Sequence, residues 1–332
     1  VPLTIAGLLS MLFLPLSVKM EKRGANKAVS VVVCILLVVL FFGGIVALLA
    51  WQVSDISQNA SQIEQSIGQK VQQIKEYVSS SMGISHQKQQ EMMQKQQQSS
   101  SGKLSSMLSV ILTSVGTFLT NFFLVLIYIF LFLYFRTHLK QSVLKMFSKT
   151  KQKEAEKAIG EARQVAQKYV VGLMLMIVGL WILYSIGFAI AGVKNFFFFA
   201  ILCGLLEIIP FVGNLAGNAL TIIVSLAQGG SMNVVLGILI TYALVQFIQS
   251  YILEPLVVGS EVNINPVFTI IGIIAGEFIW GIPGMILAVP LLGMIKIIAD
   301  HVEALKPVGF LIGEEKKSNS SMIDKVKKWF HK

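Results

Sequence analysis

The sequence predicts an all-α, polytopic helical membrane protein with two interrupted hydrophobic segments, and three observations carry that expectation. Of its 332 residues, 55% are hydrophobic and only 13% charged, about half the charged share of an ordinary soluble domain. Apolar windows such as Val29 to Ala50, Met107 to Phe135 and Val170 to Ala191 reach the roughly 20 residues a helix needs to cross a hydrocarbon core. The basic residues are gathered into three patches that lie between or after the apolar runs. Residues 19–27, 136–169 and 296–332 hold 21 of the 27 lysines and arginines, and short cytoplasmic connections collect such residues.

The organisation follows from these runs in order. Residues 1–51 read as N-terminal transmembrane helices. The first run, Pro2 to Val18, has no basic stretch before it and resembles a clipped membrane helix more than a signal peptide, so a further segment is expected ahead of it. Residues 52–105 form an extracytoplasmic loop by alternation, with five Lys against four acids. Within it Ile56, Ala60, Ile63, Ile67, Val71, Ile74 and Val78 recur at three- and four-residue steps, one apolar stripe of a helix. That stripe fits either subunit association or a surface helix on its own membrane domain, and the Gln-rich run after His86 reads as a solvated connector.

Residues 106–135 predict the next transmembrane helix and 136–169 a cytoplasmic amphipathic linker, in which Leu139, Val143, Leu144 and Phe147 alternate with lysines. The tail, 301–332, repeats that pattern with Met322, Ile323, Val326, Trp329 and Phe330. Both suit an anionic inner leaflet. A net charge of +10 therefore points to the membrane surface rather than to nucleic acid. The C-terminus is expected on the cytoplasmic side.

The transport-sized core spans 170–300 and contains interrupted segments at 196–226 and 266–299. The first breaks near Pro210 and Gly213, the second at Gly281, Pro283 and Gly284. Each break leaves pieces of about 14 to 17 residues, short of a full crossing. They are re-entrant hairpins or broken spanning helices, and proline and glycine survive there only where protein or a watery cavity satisfies the freed backbone. A continuous helix followed by an interrupted segment, met twice, is the pattern an inverted repeat would leave.

Charged groups inside a membrane need a reason, since each costs at least about 2.5 kcal/mol on insertion scales. Glu207 and Glu277 precede the two breaks. Each reads either as a carboxylate that takes up a coupling proton or sodium ion, or as a hydrogen-bonded brace. Asn214 and Asn218 lie one turn apart; Tyr242, Gln246 and Gln249 share a face of the following helix. Neutral amides suit a polar, uncharged solute, and they equally suit hydrogen bonds between helices. Gly213 with Gly217 and Gly272 with Gly276 have the spacing that lets membrane helices approach closely. Phe196 to Phe199 read as lipid-facing or interfacial, Glu254 and Glu261 as solvated loop acids, and Cys34 and Cys203 as buried packing residues.

Absences narrow the function. Ser101-Gly102-Lys103-Leu104 lacks the hydroxyl and the earlier glycine of a phosphate loop, so ATP is not expected to drive this chain. All four histidines lie outside or at the ends of the apolar segments, and no hydrolase pattern occurs. No catalytic residue, metal site or organic cofactor is expected.

Glu207-Ile-Ile-Pro-Phe-Val-Gly-Asn214, Glu254-Pro255 followed by Asn265-Pro266, and Gly281-Ile-Pro-Gly-Met-Ile-Leu-Ala-Val-Pro290 resemble the autoinducer-2 exporter family of bacterial inner-membrane transporters. The specific motifs cover residues 204–291, and Asn214 stands where the family pattern leads one to expect proline. The resemblance implies secondary transport in the cytoplasmic membrane, as a homo-oligomer with a pentameric scaffold. Its members are associated with export of autoinducer-2, and hence quorum sensing, or with sodium/proton antiport. A small polar solute or a cation is the implied cargo, with Glu207, Pro210, Gly213 and Asn214, then Gly281, Pro283 and Gly284, as the implied site residues. A scaffold that assembles without carrying solute is the reading from another class.

Overall fold

The computed structural model describes residues 1–58, 103–210, 212–254 and 264–314. The stripe beyond Gln58, the Gln-rich run, Glu261 and the basic tail beyond Glu314 lie outside the described residues. Those described are almost entirely helical, with no strand among them beyond one isolated bridge. Among the described residues five helices are long and apolar enough to cross a membrane, and a bent pair makes a sixth candidate. This is a multi-pass helical membrane protein.

The helices are α1 (Pro2–Lys22), α2 (Lys27–Gln58), α3 (Lys103–Tyr134), α4 (Arg136–Lys145) and α5 (Gln152–Ile190). They continue with α6 (Phe196–Leu206), α7 (Val212–Ala227), α8 (Met232–Ile248), a π turn (Gln249–Leu253), α9 (Pro266–Trp280), α10 (Ile282–His301), a 3₁₀ turn (Glu303–Leu305) and α11 (Lys306–Ile312). The chain divides into two compact units, Val1–Ser142 with Val170–Val258, and Val143–Tyr169 with Gly259–Lys332.

In the first unit, α1, α2 and α3 pack around Ala6, Val31, Cys34, Val38, Val125, Ile129 and Leu133. The α3 members recur every four residues, so they form one face that meets its neighbours while the rest of the helix remains apolar and exposed. Such an inside-out distribution is expected where lipid is the solvent. Arg136 ties this bundle at one end: its guanidinium donates to Ser17 Oγ at 3.2 Å and to both carboxylate oxygens of Glu21 at 2.8 and 2.5 Å. The planar fork matches the carboxylate, so one side chain fixes both the distance and the angle of approach. Immediately before it the chain turns by 69° between α3 and α4.

The second cluster of this unit is built on α5. Met176, Leu180, Tyr184 and Phe188 are buried at steps of four and meet Ala200 and Cys203 of α6 and Ile238 and Val245 of α8. The linker expected over 136–169 and the apolar run Val170 to Ala191 share a helix. One 39-residue helix, α5, runs from the charged linker into the apolar span, because Gln152 to Ile190 contains no proline and its three glycines within the apolar part, Gly172, Gly179 and Gly187, do not break it.

The first interrupted segment is a hairpin. Lys194 Nζ, before α6, donates to Gln228 O at 3.1 Å, after α7, so the two open ends meet. Its arms are 11 and 16 residues long. Gly217 faces Cys203 so closely that an added Cβ would lie 3.1 Å from the Cys203 Cα. The Gly213/Gly217 spacing thus serves contact within one hairpin. Phe196 and Phe197 are exposed as expected, but Phe198 and Phe199 are buried; a helix cannot turn four consecutive side chains to one side. If the hairpin keeps its ends together in the bilayer, Lys194→Cys and Ser231→Cys react with an impermeant thiol reagent from the same side of oriented vesicles. The native thiols, Cys34 and Cys203, are buried and free, so the wild type supplies a low background.

The second unit contains the second hairpin, α9 and α10, whose turn is Gly281 at φ 64°. Gly276 and Gly284 are pressed together backbone to backbone, leaving no room for a Cβ on either. Asn265 caps α9 by accepting from the Val267 N–H at 3.0 Å, and its own N–H reaches Ile312 O at 2.9 Å. The expected pair of short pieces is only half met: α9 has 15 residues, but α10 has 20, long enough to cross. Pro290 does not break α10. In this same unit His301 Nε2 lies 3.5 Å from Glu161 Oε2, on the charged first half of α5.

Candidate functional site

The first unit brings most of the expected polar residues to one place, where the α6–α7 break meets α5 and the end of α8. Helix α6 ends at Leu206 and α7 begins at Val212, because Pro210 lacks the donor needed to continue. The turn carries Glu207 at its start. Gly213 is the first-turn residue that lets α7 return: a Cβ there would collide with the Leu206 carbonyl.

A hydrogen-bonded chain crosses three helices at this point. Tyr184 Oη, fully buried on α5, donates to Asn214 Oδ1 at 2.7 Å. Asn218 Nδ2 lies 3.2 Å from Tyr184 Oη, 2.9 Å from Asn214 Oδ1 and 3.0 Å from the Asn214 carbonyl. Asn214 Nδ2 donates in turn to Gln246 Oε1 on α8, and Gln246 Nε2 reaches Ser250 Oγ at 3.4 Å. Asn214 is the hub, accepting from two partners and donating to a third.

Beside this chain stands a second polar pair. Gln249 Nε2 donates to Glu207 Oε1 at 2.8 Å, joining the hairpin tip to the first residue of the π turn. Gln249 is 4% exposed, as is Asn218. Glu207 Oε2, Gln249 Oε1 and Asn218 Oδ1 are buried without a hydrogen-bond partner among the described residues. Buried acceptors are normally paired, and π turns are enriched at functional sites. The two departures coincide at Gln249.

Glu207, Asn214, Asn218, Gln246 and Gln249 are therefore together, with Pro210 and Gly213 shaping the turn that presents them. Glu277 belongs to the other unit and is exposed on α9; Gly281, Pro283 and Gly284 form that unit's hairpin turn. Glu254 is exposed at the end of the helix. The Tyr242 hydroxyl makes no hydrogen bond among the described residues. Sequence reasoning missed Tyr184, which supplies the hydroxyl at the centre of the network. Its signal was faint: in the run Val170 to Ala191 it is a polar tip on a stripe that is otherwise apolar at every fourth residue.

No group of three or more histidine, cysteine or acidic side chains able to hold a metal ion occurs among the described residues. The chemistry on offer is neutral hydrogen bonding with one carboxylate. Residues 1–304 match the model of the AI-2E family transporter. The chain belongs to the AI-2E transporter family. Among its relatives, "Putative transport protein YrrI" of Bacillus subtilis is 24% identical over 311 residues, 91% of this chain and 86% of the relative. "Putative transport protein YueF" of the same organism is 26% identical over 313 residues, 89% and 82% of the two chains. A "Putative transport protein" of Borreliella burgdorferi is 31% identical over 144 residues, 43% of this chain and 40% of the relative. In this AI-2E chain the polar site falls on residues 184–249, inside the matched range.

Proposed function

We propose that this AI-2E family member is a secondary active transporter of the bacterial cytoplasmic membrane that exports a small polar solute, of the kind represented by autoinducer-2, by alternating access coupled to an ion gradient. The observation that carries this reading is the hydrogen-bonded set of neutral amides and a phenol, Tyr184, Asn214, Asn218 and Gln246, at the break of a membrane hairpin. Such groups can exchange bonds with one another for bonds to hydroxyl and carbonyl groups of a solute at little electrostatic cost. A phosphate would require cations, and no lysine or arginine takes part in this network.

The Glu207–Gln249 pair is the coupling element in this reading, because among the described residues it is the one ionisable contact at the hairpin tip. The gathered lysines and arginines of 136–169 favour a cytoplasmic position for that linker and, by alternation, for the C-terminus. The test is flux in proteoliposomes under an imposed proton or sodium gradient, run with autoinducer-2 and, in parallel, with alkali cations. Saturable solute efflux in the wild type, falling at least tenfold in Glu207→Gln with the protein still folded, is the expected result. Cation exchange without solute movement assigns antiport instead, and no flux of either kind leaves a scaffold.

A further inference from the structure

We propose that Glu207 and Gln249 hold a proton between them, as a cyclic carboxylic acid–amide pair that fastens the α6–α7 hairpin tip to the π turn. Gln249 Nε2 donates to Glu207 Oε1 at 2.8 Å, and the other oxygen of each group, Glu207 Oε2 and Gln249 Oε1, is buried without a partner among the described residues. Two orphaned acceptors on two groups already joined by one hydrogen bond have a common remedy. A proton on Oε2 donates to the amide oxygen, closes an eight-membered ring and satisfies both at once. Turning the amide over does not remove the need, for it would set two oxygens 2.8 Å apart, a contact that again requires a proton between them.

The surroundings favour the neutral acid. The titratable groups around Glu207 are Tyr184 on α5, Cys203 on α6, and Glu254 at the end of the helix that carries Gln249. None is a cation, and no lysine, arginine or histidine forms an ion pair with Glu207 among the described residues. An ionised carboxylate here has a single amide donor and no counter-charge, whereas buried charges are otherwise paired. Release of the proton turns a two-bond clamp into one bond flanked by two lone acceptors, and it loosens the hairpin tip from α8. Only a proton moves; it enters Oε2 from water and leaves to water.

The inference deepens the ion-coupled reading of the same site and rests on it for its use, but its test reads the proton rather than the flux. Infrared difference spectra of the full chain in nanodiscs, wild type against Glu207→Gln at neutral pH, are expected to show a protonated carboxyl stretch that belongs to Glu207. Gln249→Leu removes the amide oxygen and is expected to shift that stretch to higher frequency. A carboxylate stretch in place of the acid band overturns the proposal, and so does an acid band that Gln249→Leu leaves unmoved. Should Gln249→Leu fail to fold, Gln249→Met gives the same reading, and the wild-type comparison decides the protonation state by itself. The band without transport would sink the exporter and leave the proton site standing; transport without the band would do the reverse.

Discussion

Gly213→Ala is expected to open the α6–α7 hairpin and abolish transport. The added methyl would occupy the space of the Leu206 carbonyl oxygen, and that atom is backbone, so no rotamer change relieves the overlap. The arms must separate at the point where Glu207 leaves α6 and Asn214 enters α7. Overpacking of this kind costs roughly 1 to 3 kcal/mol and at times more, and contact with main chain on both sides puts this case at the upper end. The measurement is thermal unfolding of the detergent-solubilised protein with flux in parallel. Gly160→Ala is the control, because a Cβ there meets nothing within 4 Å and helix propensity favours alanine. A Gly213→Ala chain as stable and active as the control would show that the hairpin is not held closed during transport.

Asn214→Leu is expected to have the second largest effect. It removes the acceptor of Tyr184 Oη and the donor to Gln246 Oε1 together, leaving polar atoms of two helices unpaired in an apolar setting. At about 1 to 3 kcal/mol for each orphan, the loss is roughly 2 to 6 kcal/mol before any repacking. Tyr184→Phe gives the scale: it deletes one hydroxyl while Asn218 Nδ2 still reaches Asn214 Oδ1 at 2.9 Å, so a cost near 1 kcal/mol is expected. Unfolding midpoints of the two variants should differ in that order. A double variant, Tyr184→Phe with Asn214→Leu, that costs less than the two single changes added together would confirm that the groups act as one network.

Much of this was legible because the signals were local. The long apolar runs, the proline and glycine at each break, the glutamate before the first break and the amides at four-residue spacing all act within a turn or two of themselves. Glu207, Asn214, Asn218, Gln246 and Gln249 were therefore found as a set of polar residues in apolar helices. Glu277 carried the same local signal and is nonetheless exposed in the other unit, since burial depends on what packs against a helix and not on the residue's own neighbours in sequence. Tyr184 is the opposite case: an unremarked tyrosine on an apolar stripe became central because α7 happens to cross that stripe. The continuity of α5 was not legible for a further reason. The change from charged to apolar composition marks a change of solvent around a helix, and a helix can cross that boundary without a break.

What the sequence determined by itself is the class of the protein, the order of its spans and the two places where helices must stop, because desolvation of backbone and the missing donor of proline act wherever the chain goes. Only the tertiary structure decided that the first break closes into a hairpin with Lys194 and Gln228 together, that Tyr184 joins the asparagines, and that Glu207 meets Gln249. Those are contacts between residues 30 to 42 positions apart. Their existence depends on the packing of whole helices, through glycine-sized gaps and one π turn, which no short stretch of sequence specifies.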